Sequence, residues 1–111
     1  MKKTQLGEFE EIVLLTIAVL NEHAYGIAIK KEIEDRINRK VSIGALQTAF
    51  KRMEDKGFIS SELGEPTQKR GGKRKRYYSI TAQGVNTLDE IRSIRAGLWQ
   101  SIPQSILDYR S

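Results

Sequence analysis

A chain of 111 residues, 39% of them apolar, is the size of one domain with a modest core and leaves no room for a second. With no cysteine and a single histidine it excludes disulfide staples, thiolate metal sites and cysteine nucleophiles, and the familiar triads and metal clusters lack their parts. Nineteen Lys plus Arg against 14 Asp plus Glu give +5, and six of the cations fall between Lys69 and Arg76; without those six the balance is 13 against 14, so the excess charge sits in one short segment.

Residues 6–22 read as a helix, since Leu6, Phe9, Val13, Ile17 and Leu20 recur at spacings of three and four. Ile12, Leu15 and Val19 form a second stripe on its flank. Two apolar faces predict two packing partners, one in the domain and one on a partner chain; the alternative is a helix buried all round in a monomer. The apolar run 12–20 follows Glu8, Glu10 and Glu11, lacks a small-residue cleavage pattern and is roughly half the length needed to cross a bilayer. A cytoplasmic protein with no membrane partner is the expectation.

Asn21, Glu22, His23 and Ala24 read as a turn in which His23 is an ordinary surface residue. A second helix begins near Tyr25, with Ile29, Ile33 and Ile37 on its buried side. Lys30, Lys31, Glu34 and Asp35 on its other side are surface ion pairs at helical spacing, not an acid and base couple. Val41 and Ser42 open a third helix: Ser42 suits the N-cap, and Gly57 suits the left-handed conformation that ends it after Lys56. Leu46, Ala49, Phe50 and Met53 form its buried stripe. Gly44, Gln47, Thr48, Lys51 and Arg52 are left on the open side or its edge, a face that is small, polar and basic.

A strand over 58–63, a loop over 64–76 and a second strand reaching Ile80 predict a hairpin with a long basic tip. In the second strand Tyr78 and Ile80 share one face, Tyr77 and Ser79 the other. Thr81 can cap a last helix that keeps Val85, Leu88, Ile91, Ile94, Leu98, Trp99 and Ile102 on one broad side until Pro103. At 1.5 Å per residue it is about 30 Å long and outruns the small body. Homodimerisation through this helix and the first is the simplest cover for its apolar seam, with Leu15, Val19, Leu88, Ile91, Leu98, Trp99 and Ile102 at the interface.

Three helices, the third capped by serine and followed directly by a basic hairpin, follow the winged helix-turn-helix order. The fold class is mainly α with a small β-hairpin: residues 1–80 form a winged helix-turn-helix domain and residues 81–111 a dimerisation helix and tail. Double-stranded DNA is the partner this implies, contacted by Ser42, Gly44, Gln47, Thr48, Lys51 and Arg52 of the third helix and by Lys73, Arg74, Lys75 and Arg76 of the wing. No cofactor and no metal are expected. No enzyme is expected: Gly71 and Gly72 lack the spacing and following helix of a phosphate-cradling loop, and one histidine without a cysteine cannot assemble the familiar triads or metal clusters. The rival reading is a winged-helix protein-interaction module that does not bind DNA.

The segment Val41, Ser42, Ile43, Gly44, Ala45, Leu46, continuing through Phe50, Arg52, Met53, Glu54, Gly57, Phe58 and Ile59, resembles the PadR transcriptional regulators. Leu6 through Leu20, the run Ala24, Tyr25, Gly26, Ile27, and the run from Arg76 through Gly84 extend the resemblance to about residues 5–95. A single dimerisation helix after the wing is similar to the compact branch of that family. The resemblance implies a homodimeric repressor and, as a further partner, a small aromatic effector. Ala45, Gln47 and Thr48 stand where the family usually has threonine, tyrosine and proline, so the family's operator does not carry over; where a tyrosine offers a hydroxyl and a ring, Gln47 offers an amide able to pair with adenine edges. Trp99 is either a packed interface aromatic or a wall on which a flat effector stacks.

Overall fold

In a computed structural model of the protein, residues 6–66 and 74–110 are described. Helix α1 (Glu8–Leu20) starts where Gly7 is extended, and the Gly7 N–H donates to the Glu10 side chain at 3.1 Å. Glu8, Glu10 and Glu11 sit at its positive end. It is shorter at both ends than the 6–22 expected from periodicity: Gly7 caps the start, and Asn21 turns to φ 53° and opens a single tight turn, Asn21–His23. Helix α2 (Gly26–Ile37) ends at Asn38, which takes the left-handed conformation.

Helix α3 (Ile43–Asp55) has both predicted ends. Ser42 Oγ accepts from the Ala45 N–H at 3.0 Å. At the far end Gly57 adopts φ 82°, while Phe58 N–H donates to Met53 O and Gly57 N–H to Glu54 O, which satisfies the last carbonyls. Leu46, Ala49, Phe50 and Met53 are its buried residues, as the stripe predicted.

Strands β1 (Ile59–Leu63) and β2 (Arg76–Ile80) pair antiparallel, with Ser61 opposite Tyr78 and Ile59 opposite Ile80. The face carrying Tyr78 lies on α3, its ring stacked on Phe50 at 4.1 Å between centroids. The edge of β2 away from β1 meets the α1–α2 junction, where Tyr25 bridges to Tyr77 and the Tyr78 N–H donates to Ala24 O at 2.8 Å. Thr81 caps helix α4 (Ala82–Gln100), its hydroxyl accepting from Gly84 N–H and donating to Gly57 O at 2.7 Å.

Helix α4 stops at Gln100, so Ile102 lies beyond it rather than on its last turn as expected. The residue before a proline is pushed out of the helical region, and here the chain yields two positions ahead of Pro103, with Ser101 donating from both N–H and hydroxyl to Gly97 O. A four-residue helix, α5 (Gln104–Leu107), follows. The core gathers Val13, Leu14 and Ile17 of α1, Ile29 and Ile33 of α2, and the α3 stripe, with Tyr78 closing it from the hairpin.

Candidate nucleic-acid interface

With four side chains of α3 turned into the core, Ser42, Gly44, Gln47, Thr48, Lys51 and Arg52 are all exposed. The two cations are not equivalent. Lys51 is 3.8 Å from Asp55, an exposed pair one turn apart that contributes little. Arg52 Nε lies 3.1 Å from Oε2 of Glu10, whose side chain is only 10% exposed, and Lys56 Nζ stands 3.7 Å from the other oxygen. Among the described residues no N–H is aimed at Oε2 along a hydrogen bond, so Arg52 is held there by charge.

The wing cations also differ. Arg74 is exposed. Lys75 is half-buried, its ammonium 3.9 Å from the centre of the Tyr25 ring, which itself meets Tyr77 edge-on at 5.6 Å. Arg76 donates to Ser61 Oγ at 3.1 Å, and Ser61 donates to Glu54 at 2.9 Å. Gln47, Lys51 and Tyr78 complete the polar cleft of about 260 Å³ between α3 and the hairpin. Burial pushes the Tyr78 phenol above its ordinary range, with Arg76 pulling it down and Glu54 pushing it up. Lys73 lies outside the described residues, as do Lys69, Arg70, Gly71 and Gly72.

The turn that delivers α3 is pinned by Glu34, whose carboxylate accepts from Lys30 Nζ and from the Val41 N–H, both at 2.9 Å. The Lys30 hydrogen bond first, then that of Val41, holds Glu34 below the usual glutamate range. A depressed carboxyl gives its full stabilisation above the unfolded value and loses it as pH falls through the folded one. The Val41 amide resonance should therefore shift only in acid below the ordinary glutamate range, and a midpoint at the ordinary value would contradict the clamp.

Along α1 and α4, Leu15 is 45%, Leu98 66% and Trp99 58% exposed, and Val19 is exposed with them. Leu88 and Ile102 are half-buried, whereas Ile91 is covered by its own chain to 7%. An apolar groove of about 620 Å³ runs between the two helices over Leu15, Ala18, Val85 and Leu88. Glu11, Asp89, Arg92 and Arg95 border it, with Arg95 donating to Glu11 at 2.9 Å and Arg92 paired with Asp89. Trp99 is not among its lining residues.

The family model described as "Transcriptional regulator PadR-like family" matches residues 14–90. The chain belongs to the PadR-like family. This is a family of transcriptional regulators, not of enzymes. The PadR-like regulator of Bacillus cereus strain ATCC 14579 superposes with a TM-score of 0.70 at 22% identity, over 89% of this chain and 90% of that one, a likeness of fold. A PadR family regulator of Eggerthella lenta DSM 2243 gives 0.67 at 26% identity, over 89% and 86%. One from Clostridium difficile R20291 gives 0.60 at 27%, over 90% and 98%. No curated protein sequence matches the chain.

Several residues of this PadR-like chain that shape the site gave no local signal. Glu10 stood out only as one acid before an apolar run, and Tyr25 only as a helix start. Arg39 and Lys40 flank the approach to Ser42, Arg39 paired with Glu8 at 2.8 Å and 5.5 Å from the Phe9 ring centre. Among the described residues no group of three or more His, Cys, Asp or Glu is placed to hold a metal ion, and no helix is long and apolar enough to cross a membrane.

Proposed function

We propose that this PadR-like protein is a homodimeric DNA-binding repressor. The observation that carries the reading is the exposed polar and basic face of α3 set beside a hairpin that carries Arg74 and Arg76. Residues 1–80 read DNA and residues 81–111 pair two copies. Helix α3 enters the major groove, with Ser42, Gly44, Gln47 and Thr48 near base edges and Lys51 and Arg52 on the flanking backbone. Lys73, Arg74, Lys75 and Arg76 hold phosphates beside it, Lys75 after leaving the Tyr25 ring, and Arg39 and Lys40 add contacts at the start of α3.

The exposed rows on α1 and α4 meet their counterparts in the second copy. Two recognition helices related by a two-fold axis then reach major grooves about 34 Å apart, so the operator is a pseudo-palindrome. A flat aromatic effector stacks on Trp99 between the subunits and shifts the dimer toward a shape that binds DNA less well. Titrating aromatic compounds should quench Trp99 fluorescence and weaken operator binding together; quenching without loss of affinity would remove the effector from the scheme.

Fluorescence anisotropy on fragments of the protein's own promoter region tests DNA reading directly. Gln47→Ala should lower discrimination at one adenine-containing position per half-site by about 1–3 kcal/mol while leaving the salt dependence unchanged. Equal affinity of wild type and variant for every base at every position would contradict the role given to Gln47.

A further inference from the structure

An acidic side chain on the open side of a recognition helix is unfavourable next to a polyanion unless it does something there. Glu54 occupies such a place, exposed near the end of α3 and lining the cleft that α3 makes with the hairpin. Its carboxylate accepts from Ser61 Oγ on β1 at 2.9 Å, and the same hydroxyl oxygen accepts from Arg76 on β2 at 3.1 Å. A serine hydroxyl has one proton and two lone pairs. With the proton committed to the carboxylate, a lone pair faces the guanidinium, so the relay runs Arg76 to Ser61 to Glu54. The opposite order is closed, because arginine cannot accept.

The relay ties three elements at one point. Ser61 pairs with Tyr78, and Arg76 precedes Tyr78 by two residues, so all three share the hairpin face that lies on α3. An unanchored arginine at the start of a strand loses much rotamer freedom when it grips a ligand. Here one N–H is already placed, and four of the five guanidinium donors remain for an incoming group. Among the described residues the other charges on the cleft are Lys51 and Asp55, which pair with each other at 3.8 Å and leave Glu54 to the serine.

We infer that Ser61 and Glu54 are positioning residues for DNA binding, acting through Arg76, which they hold between recognition helix and wing to take a backbone phosphate in that cleft. The inference rests on the DNA-binding reading proposed above. It gives the wing a fixed register against α3.

The test is a mutant cycle read by anisotropy on an own-promoter duplex, with the melting temperature of each variant recorded. Ser61→Ala should weaken binding about three- to tenfold with melting unchanged, the size of one lost hydrogen bond. Ser61→Thr, which keeps the hydroxyl and suits a strand, should restore wild-type affinity to within about twofold. In an Arg76→Ala background, Ser61→Ala should have no further effect, because its action passes through the guanidinium. Glu54→Gln should fall between wild type and Ser61→Ala, its amide oxygen still accepting from the serine without the charge. Ser61→Ala binding as wild type, or weakening binding equally with and without Arg76, would overturn the relay while wild-type binding upholds the DNA reading. A wild-type chain that binds no duplex would overturn the DNA reading itself.

Discussion

Gly84→Ala should lower the melting temperature by about 12–15 °C, and its Cβ would make the closest approach to backbone of any described glycine's. A Cβ at Gly84 would lie 2.4 Å from the Phe58 carbonyl oxygen and 2.8 Å from Ile80 Cγ1. Neither neighbour can retreat cheaply. Phe58 O accepts from Thr81 N–H at 3.0 Å, and Phe58 N–H closes the end of α3. The Thr81 hydroxyl is tied to Gly57 O on one side and to the Gly84 N–H on the other. Moving the start of α4 would therefore strain the α3–β1 turn. Overpacking of this kind costs about 3 kcal/mol at the upper end of its usual range, and each kcal/mol lowers the melting point of a domain near this size by about 4–5 °C. Gly44→Ala is the control: no described atom lies within 4 Å of its Cβ and the position is helical, so the melting temperature should hold or rise by a few degrees. A Gly84→Ala protein that melts with wild type would show that α4 is not seated against the α3–β1 turn.

Charging the α1–α4 face should have the largest effect on function. Leu15→Asp combined with Leu98→Asp places a carboxylate in each apolar row, where pairing with a second copy would strip it of water against apolar side chains. Both positions are exposed in the single chain, so the fold of one copy should survive. Light scattering should then report a monomer, and operator affinity should fall about a hundredfold or more, because two half-site contacts reinforce one another only when joined. Unchanged oligomeric mass, or a monomer that binds the operator as tightly as wild type, would contradict the proposed pairing.

What was legible in the sequence was legible because its physics is local. The α3 ends follow from Ser42 and Gly57, each acting on backbone groups within a few positions, and the buried Leu46, Ala49, Phe50 and Met53 follow from helical spacing alone. Thr81 announced α4 in the same way. The order of helices and hairpin, together with the motif around Val41 to Ile59, led to the PadR-like family. Contacts that join distant segments could not be seen: Arg95 meets Glu11 across 84 positions, Arg76 meets Ser61 across 15, and Lys75 leans on Tyr25 through the fold alone. For that reason the wing cations looked interchangeable in the sequence, whereas in the fold Arg74 is exposed, Lys75 is stacked and Arg76 is anchored. The early end of α4 and the short α5 escaped for a different reason. Periodicity continued through Ile102, but the geometry demanded by Pro103 overrode it.

The most direct measurement is the affinity of the wild-type chain for its own promoter fragment, followed from about 50 to 200 mM salt. A pair of recognition helices with their wings, neutralising about 6–10 phosphates, should lose about 10³- to 10⁵-fold in affinity over that range. Absence of binding to any duplex at the low end, or binding indifferent to salt, would contradict the account.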